Sequence, residues 1–122
     1  MNRLKEAVEA RKAEGLIGPL CYSEHWQATA TLRIETSSAE IWVFPWHQFV
    51  HSRHQAEGQL ERLVLTFASN DIILCGTHLA ELLEKPITEQ RLTMLRPVPK
   101  KYQGAEVNEP FVMEILVRPV AD

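Results

Sequence analysis

Five histidines and two cysteines are the side chains of this chain best suited to chemistry. His47, His51 and His54 fall close together. Three neutral imidazoles with an open fourth position are the ligand types of a catalytic zinc site. On a helix, spacings of four and three would put all three on one face. The surrounding residues instead read as a strand running into a polar loop. There His47 and His51 share a sheet face, and His54 curls back from the loop. A divalent metal on this cluster, serving a metal-binding protein or metal-dependent enzyme, is the alternative reading. The plainer one is histidines bonded to backbone and water at a strand end.

A second set pairs Cys21 with His25 and Cys75 with His78, the composition of a closed Cys2His2 site. Cys75 ends an apolar run and reads as a small buried hydrophobe. His78 falls in the first turn of an expected helix, where the macrodipole opposes its charge. Neither pair carries a thiolate signature. The chain has no Gly-x-Ser-x-Gly elbow, phosphate-binding glycine loop or dinucleotide fingerprint. Glu81 with Glu84, and Glu106 with Glu109, are carboxylates near in sequence, reading as solvated helix face and loop.

The elements that must position these groups follow from hydrophobic period. Residues 2–14 read as a helix: Asn2 caps it, Leu4, Ala7 and Val8 form a narrow stripe, and Gly15 with Gly18-Pro19 ends it. From residue 27 the period becomes two. Ala28, Ala30, Leu32 and Ile34 alternate with polar residues. A turn at Thr36–Ala39 leads to a second strand, Ile41–Val50, rich in aromatic and β-branched types. Residues 52–59 read as a polar loop around Gly58. Leu63–Phe67 and Ile72–Cys75 are strands flanking a tight hairpin. Two short helices follow, capped by Thr77 and Thr88, with Ile87 and Leu92 spaced as a hydrophobic staple. Proline-rich residues 96–110 are an extended excursion, and Phe111–Val117 is a final strand. The expected fold is therefore α+β: an antiparallel β-meander of about five strands, as a twisted sheet or partly closed barrel, with an N-terminal helix and two short helices before the last strand.

At 122 residues the chain suits a single domain spanning 1–122, because two halves would each be too small for a good core. A hydrophobic share of 45% and a charged share of 24% are globular values that argue against whole-chain disorder. The net charge is -3 with the signs interspersed, so nucleic acid is not the expected partner. The densest basic stretch, Arg96, Lys100 and Lys101, reads as a solvated loop. Two cysteines do not make a disulfide scaffold. The first residues lack an apolar signal core, and no apolar run reaches membrane-spanning length. The expectation is a soluble, cytoplasmic protein without a membrane partner.

The strands are apolar on both faces, whereas antiparallel meanders usually keep one face wet. One face is core, and the other needs a cover. Trp42, Phe44, Trp46 and Phe49 read as core, as an interface centre or as the wall of a ligand pocket, since aromatic residues serve all three. Pro45 within that run marks an edge strand or a bend. The functional expectation is a non-enzymatic protein-interaction or oligomerisation module, in a homo-oligomer and with a further protein partner.

Overall fold

A computed structural model describes residues 21–99 and 109–120. The described residues form eight strands: β1 (Tyr22–Glu24), β2 (Thr31–Glu35), β3 (Ile41–Pro45), β4 (Phe49–Glu57), β5 (Leu60–Phe67), β6 (Asn70–Thr77), β7 (Leu92–Leu95) and β8 (Phe111–Pro119). They form two four-stranded sheets. The first has the order β1-β7-β2-β3, and the second β4-β5-β6-β8. The second sheet is antiparallel throughout. The first is mixed, because β7 enters antiparallel to β1 and parallel to β2.

Period two in the sequence becomes burial in the structure. Leu32 and Ile34 of β2 and Phe44 of β3 meet Leu63, Leu65 and Phe67 of β5, Ile72 and Leu74 of β6 and Ile115 of β8 in one apolar core. The aromatic rings of Phe44 and Phe67 join the two sheets with centroids 5.0 Å apart. Backbone bonds stitch the sheets further: Ser37 N donates to the Ile115 carbonyl at 3.0 Å, and Ala68 N to that of Gln48 at 2.9 Å. The chain crosses between sheets at a 3-10 corner, Trp46–Gln48.

This mostly β architecture of two four-stranded sheets corrects the expected α+β meander of about five strands. Among the described residues the only long helical stretch is Leu79–Thr88, a 3-10 segment (Leu79–Leu83) running into a π turn (Glu84–Thr88). The second expected helix is β7. Gln90 adopts a left-handed backbone (φ 53°), which reverses the chain and delivers Leu92 and Leu95 to the core as strand residues. The staple pair Ile87 and Leu92 is buried, but across this reversal rather than along a helix. The expected N-terminal helix lies outside the described residues.

Two further boundaries move. The single strand expected over Ile41–Val50 breaks after Pro45, and β3 is also the edge of its sheet, so both readings of that proline hold. The expected polar loop 52–59 is most of β4, an edge strand with polar residues on both faces. Gly58, at φ +66°, opens the two-residue loop that turns β4 into β5. No helix among the described residues is long and apolar enough to cross a membrane.

Candidate functional site

The aromatic run lies inside the fold. Phe44 and Trp46 are buried, and Trp42 and Phe49 pack half-buried against the same core. Trp42 stacks on Phe44 with an interplanar angle of 5°. Phe49 meets Trp46 and Phe67 edge-on. Trp46 Nε1 donates to the Leu92 carbonyl at 3.0 Å, which satisfies the indole inside the core. These residues face inward because β3 alternates Trp42 and Phe44 against the outward Ile41 and Val43.

The three histidines do not converge. His47 is exposed on the 3-10 corner, and His51 and His54 are exposed along β4. His54 Nε2 donates to Glu61 Oε1 at 2.7 Å. Among the described residues, no three His, Cys, Asp or Glu side chains gather as a metal site. Cys21 Sγ donates to the Pro110 carbonyl at 3.2 Å. Burial above all pushes the Cys21 thiol up to about 11. Cys75 is half-buried, and its thiol is also raised, by burial first and then by Glu114 and Glu57.

Three surface features remain. The first is the free edge of β3. Thr36 N donates to the Glu40 carbonyl at 2.8 Å, which fixes the alternation of bonded pairs between β2 and β3. Trp42 and Phe44 bond to β2, so the backbone groups of Ile41 and Val43 turn outward. No described strand pairs with that edge. The side chains of Ile41 and Val43 are 58% and 60% exposed, and β3 carries no charge.

The second is the outer face of the second sheet, where register builds three rows across all four strands. One row is Arg53, Val64, Ile73 and Leu116. On one side of it run Gln55, Arg62, Cys75 and Glu114, and on the other His51, Thr66, Asp71 and Arg118. A shallow concavity of about 590 Å3 opens among Arg53, His54, Gln55, Arg62, Val64 and Arg118.

The third is Trp26, 75% exposed on the loop between β1 and β2. That loop is pinned on both sides of the indole: His25 N donates to the Arg91 carbonyl at 2.8 Å, and Thr29 N to that of Gln90 at 2.9 Å. Arg91 Nε returns a bond to the His25 carbonyl at 2.8 Å.

Sequence reasoning singled out neither Trp26 nor the arginines. The signal for the arginines was a two-residue turn at Gly58-Gln59, which by register alone sets Arg53 opposite Val64 and Gln55 opposite Arg62. Reading 52–59 as loop concealed it. The chain matches no family model, and it has no match among curated proteins or solved structures.

Proposed function

We propose that this chain is a protein-interaction module that assembles with a second copy of itself through the free edge of β3. The observation that carries this reading is an uncharged edge strand with two exposed β-branched residues and an outer backbone edge that no described strand pairs. Natural edge strands are usually blunted by charge, proline or a covering element, because an open row of N–H and C=O groups recruits another strand, and β3 has no charge and its proline only at its last residue.

The register supports a two-fold pairing. Antiparallel pairing centred on Val43 sets Val43 against its own copy and Ile41 against Pro45 of the other chain. Each outward donor, the N–H of Ile41 and of Val43, then meets a carbonyl. Pro45 has no N–H, so at its position it is asked only to accept. The first sheets of two chains would join into one continuous sheet, the isologous geometry of most dimers.

Light scattering on the eluting protein tests this. Expected is a mass twice the 14.0 kDa of one chain, reverting to one chain in Val43→Lys, whose charge sits outside the core. A wild-type protein that stays at the mass of one chain at high concentration rejects the reading. So does a Val43→Lys variant that still dimerises.

A further inference from the structure

We infer that the outer face of the second sheet is a docking surface for an acidic protein segment carrying an apolar anchor residue. This face is separate from the β3 edge and does not depend on self-assembly.

The chain as a whole is acidic, at -3, yet this face gathers Arg53, Arg62 and Arg118 around a concavity. Neither Arg53 nor Arg62 makes an ion pair among the described residues. Arg118 reaches Asp71 at only 4.0 Å, and the Asp71 carboxylate is already occupied by the Thr66 hydroxyl at 2.7 Å. The guanidinium groups therefore keep most of their donors for a ligand, and their planar forks match carboxylates two bonds at a time.

Beside the charges lies apolar ground. Ile73 and Leu116 continue the central row from Val64, which is itself buried at 5% exposure, and Leu116 is 57% exposed. The helical stretch that covers part of the sandwich puts Leu79 and Leu82 into the core. A partner that matched only the charges would leave Leu116 wet. One that set an aliphatic side chain on Leu116 would bury it and exclude water from the neighbouring ion pairs.

Two other occupants fit worse. A second copy would bring arginines onto arginines, since the face offers only Glu114 and the already engaged Asp71 in return. A nucleic acid strand needs a basic track with aromatic platforms for its bases. The three rows contain no Trp, Tyr or Phe, and Glu114 and Asp71 would repel phosphates.

The test is fluorescence anisotropy with a labelled peptide of alternating glutamate and leucine. Its partners are a peptide of alternating lysine and leucine, one of glutamate and glycine, and an oligouridylate. Expected is saturable, salt-sensitive binding of the glutamate–leucine peptide, tighter than the other three. It should weaken about tenfold or more in Arg53→Glu/Arg62→Glu, as losing charge-assisted contacts requires. If that variant unfolds, Arg53→Gln/Arg62→Gln and Leu116→Gln replace it, both on exposed or half-exposed positions. Amide resonances of Val64, Ile73 and Leu116 should shift on titration. No binding, equal binding by the variants, or tighter binding of the oligouridylate overturns the inference.

Discussion

Glu61 Oε1 lies 2.7 Å from His54 Nε2, and the same carboxylate receives the backbone amides of His78 at 2.6 Å, Leu79 at 3.1 Å and Ala80 at 3.3 Å. One side chain at the start of β5 thus caps the helical stretch that begins at Leu79 and ties it to the edge strand β4. His78, which enters that stretch with a left-handed backbone, offers no cap of its own.

The first prediction concerns pH. Burial works to raise the Glu61 carboxyl, but the bonds from His54, His78 and Ala80 outweigh it and hold the group below its ordinary value. A depressed carboxyl contributes stability at neutral pH, and that contribution is lost as pH falls below the ordinary carboxylate range through the lowered value. Glu61→Gln should therefore cost about 1 kcal/mol near pH 7, the size of a lost helix cap, and flatten the acid limb of the stability curve. Urea unfolding across acid pH reads both effects. An unchanged acid limb would remove Glu61 from the account.

Ala39 closes the β2–β3 hairpin in the left-handed region, at φ 66°, after a turn in which its own amide bonds the Thr36 carbonyl at 3.0 Å. An L-residue with a Cβ is strained there, and glycine is not. Ala39→Gly should raise stability by roughly 0.5–1 kcal/mol, seen as a higher urea midpoint with an unchanged slope.

Gly76 sits where β6 shifts register against β8. A Cβ placed there would lie 1.9 Å from the Phe111 carbonyl oxygen, and backbone cannot give way as a flexible side chain can. Gly76→Ala should cost about 3 kcal/mol or more. Thermal unfolding compares it with Gly58→Ala, where the strain is conformational only, because nothing lies within 4 Å.

Trp46→Phe keeps an aromatic ring in the core but removes the donor to the Leu92 carbonyl. The loss combines an unsatisfied buried acceptor with a small cavity, about 2–4 kcal/mol together. A cost well under 1 kcal/mol would show that the bond between the 3-10 corner and β7 carries little of the fold.

The cysteines should differ greatly in access. Both thiols are raised, Cys21 to about 11, so neither is a ready nucleophile near neutrality. Timed alkylation followed by mass spectrometry should label Cys75 slowly in the folded protein. Cys21 should be labelled only on unfolding. Fast labelling of Cys21 would contradict its burial against Pro110.

The parts of the fold legible in the sequence are those set by local alternation. Leu63–Phe67 and Ile72–Cys75 are strands on both grounds, and the break at Pro45 was visible in the missing N–H. The rest depended on tertiary context. Residues 52–57 are polar on both faces, so nothing in their period distinguishes a solvated edge strand from a loop. Leu92–Leu95 has the apolar spacing of a helix turn, yet the left-handed backbone at Gln90 and the gap between β1 and β2 make it a strand. The arginine face followed from register, which became readable only once β4 was a strand.

The placement of β7 also has a consequence for how the molecule assembles. The second sheet's first three strands are joined by two-residue loops, so their pairing can begin as soon as they exist. The first sheet is different: β7, one of its two inner strands, arrives some seventy residues after its neighbour β1, with Ser23 bonded from Thr93 and Tyr22 opposite Leu95. Until Leu92–Leu95 slots in, β1 has no partner and β2 has only β3 among the described strands. Such distant pairing is slow, because loop-closure entropy must be met before the contacts reward it. The β4–β5–β6 hairpins should form first and the gap in the first sheet should close last, leaving β2 briefly open on one side. Pulsed hydrogen exchange during refolding would find amides of β5 protected before those of β1. The reverse order would mean that β7 docks before the hairpins are complete.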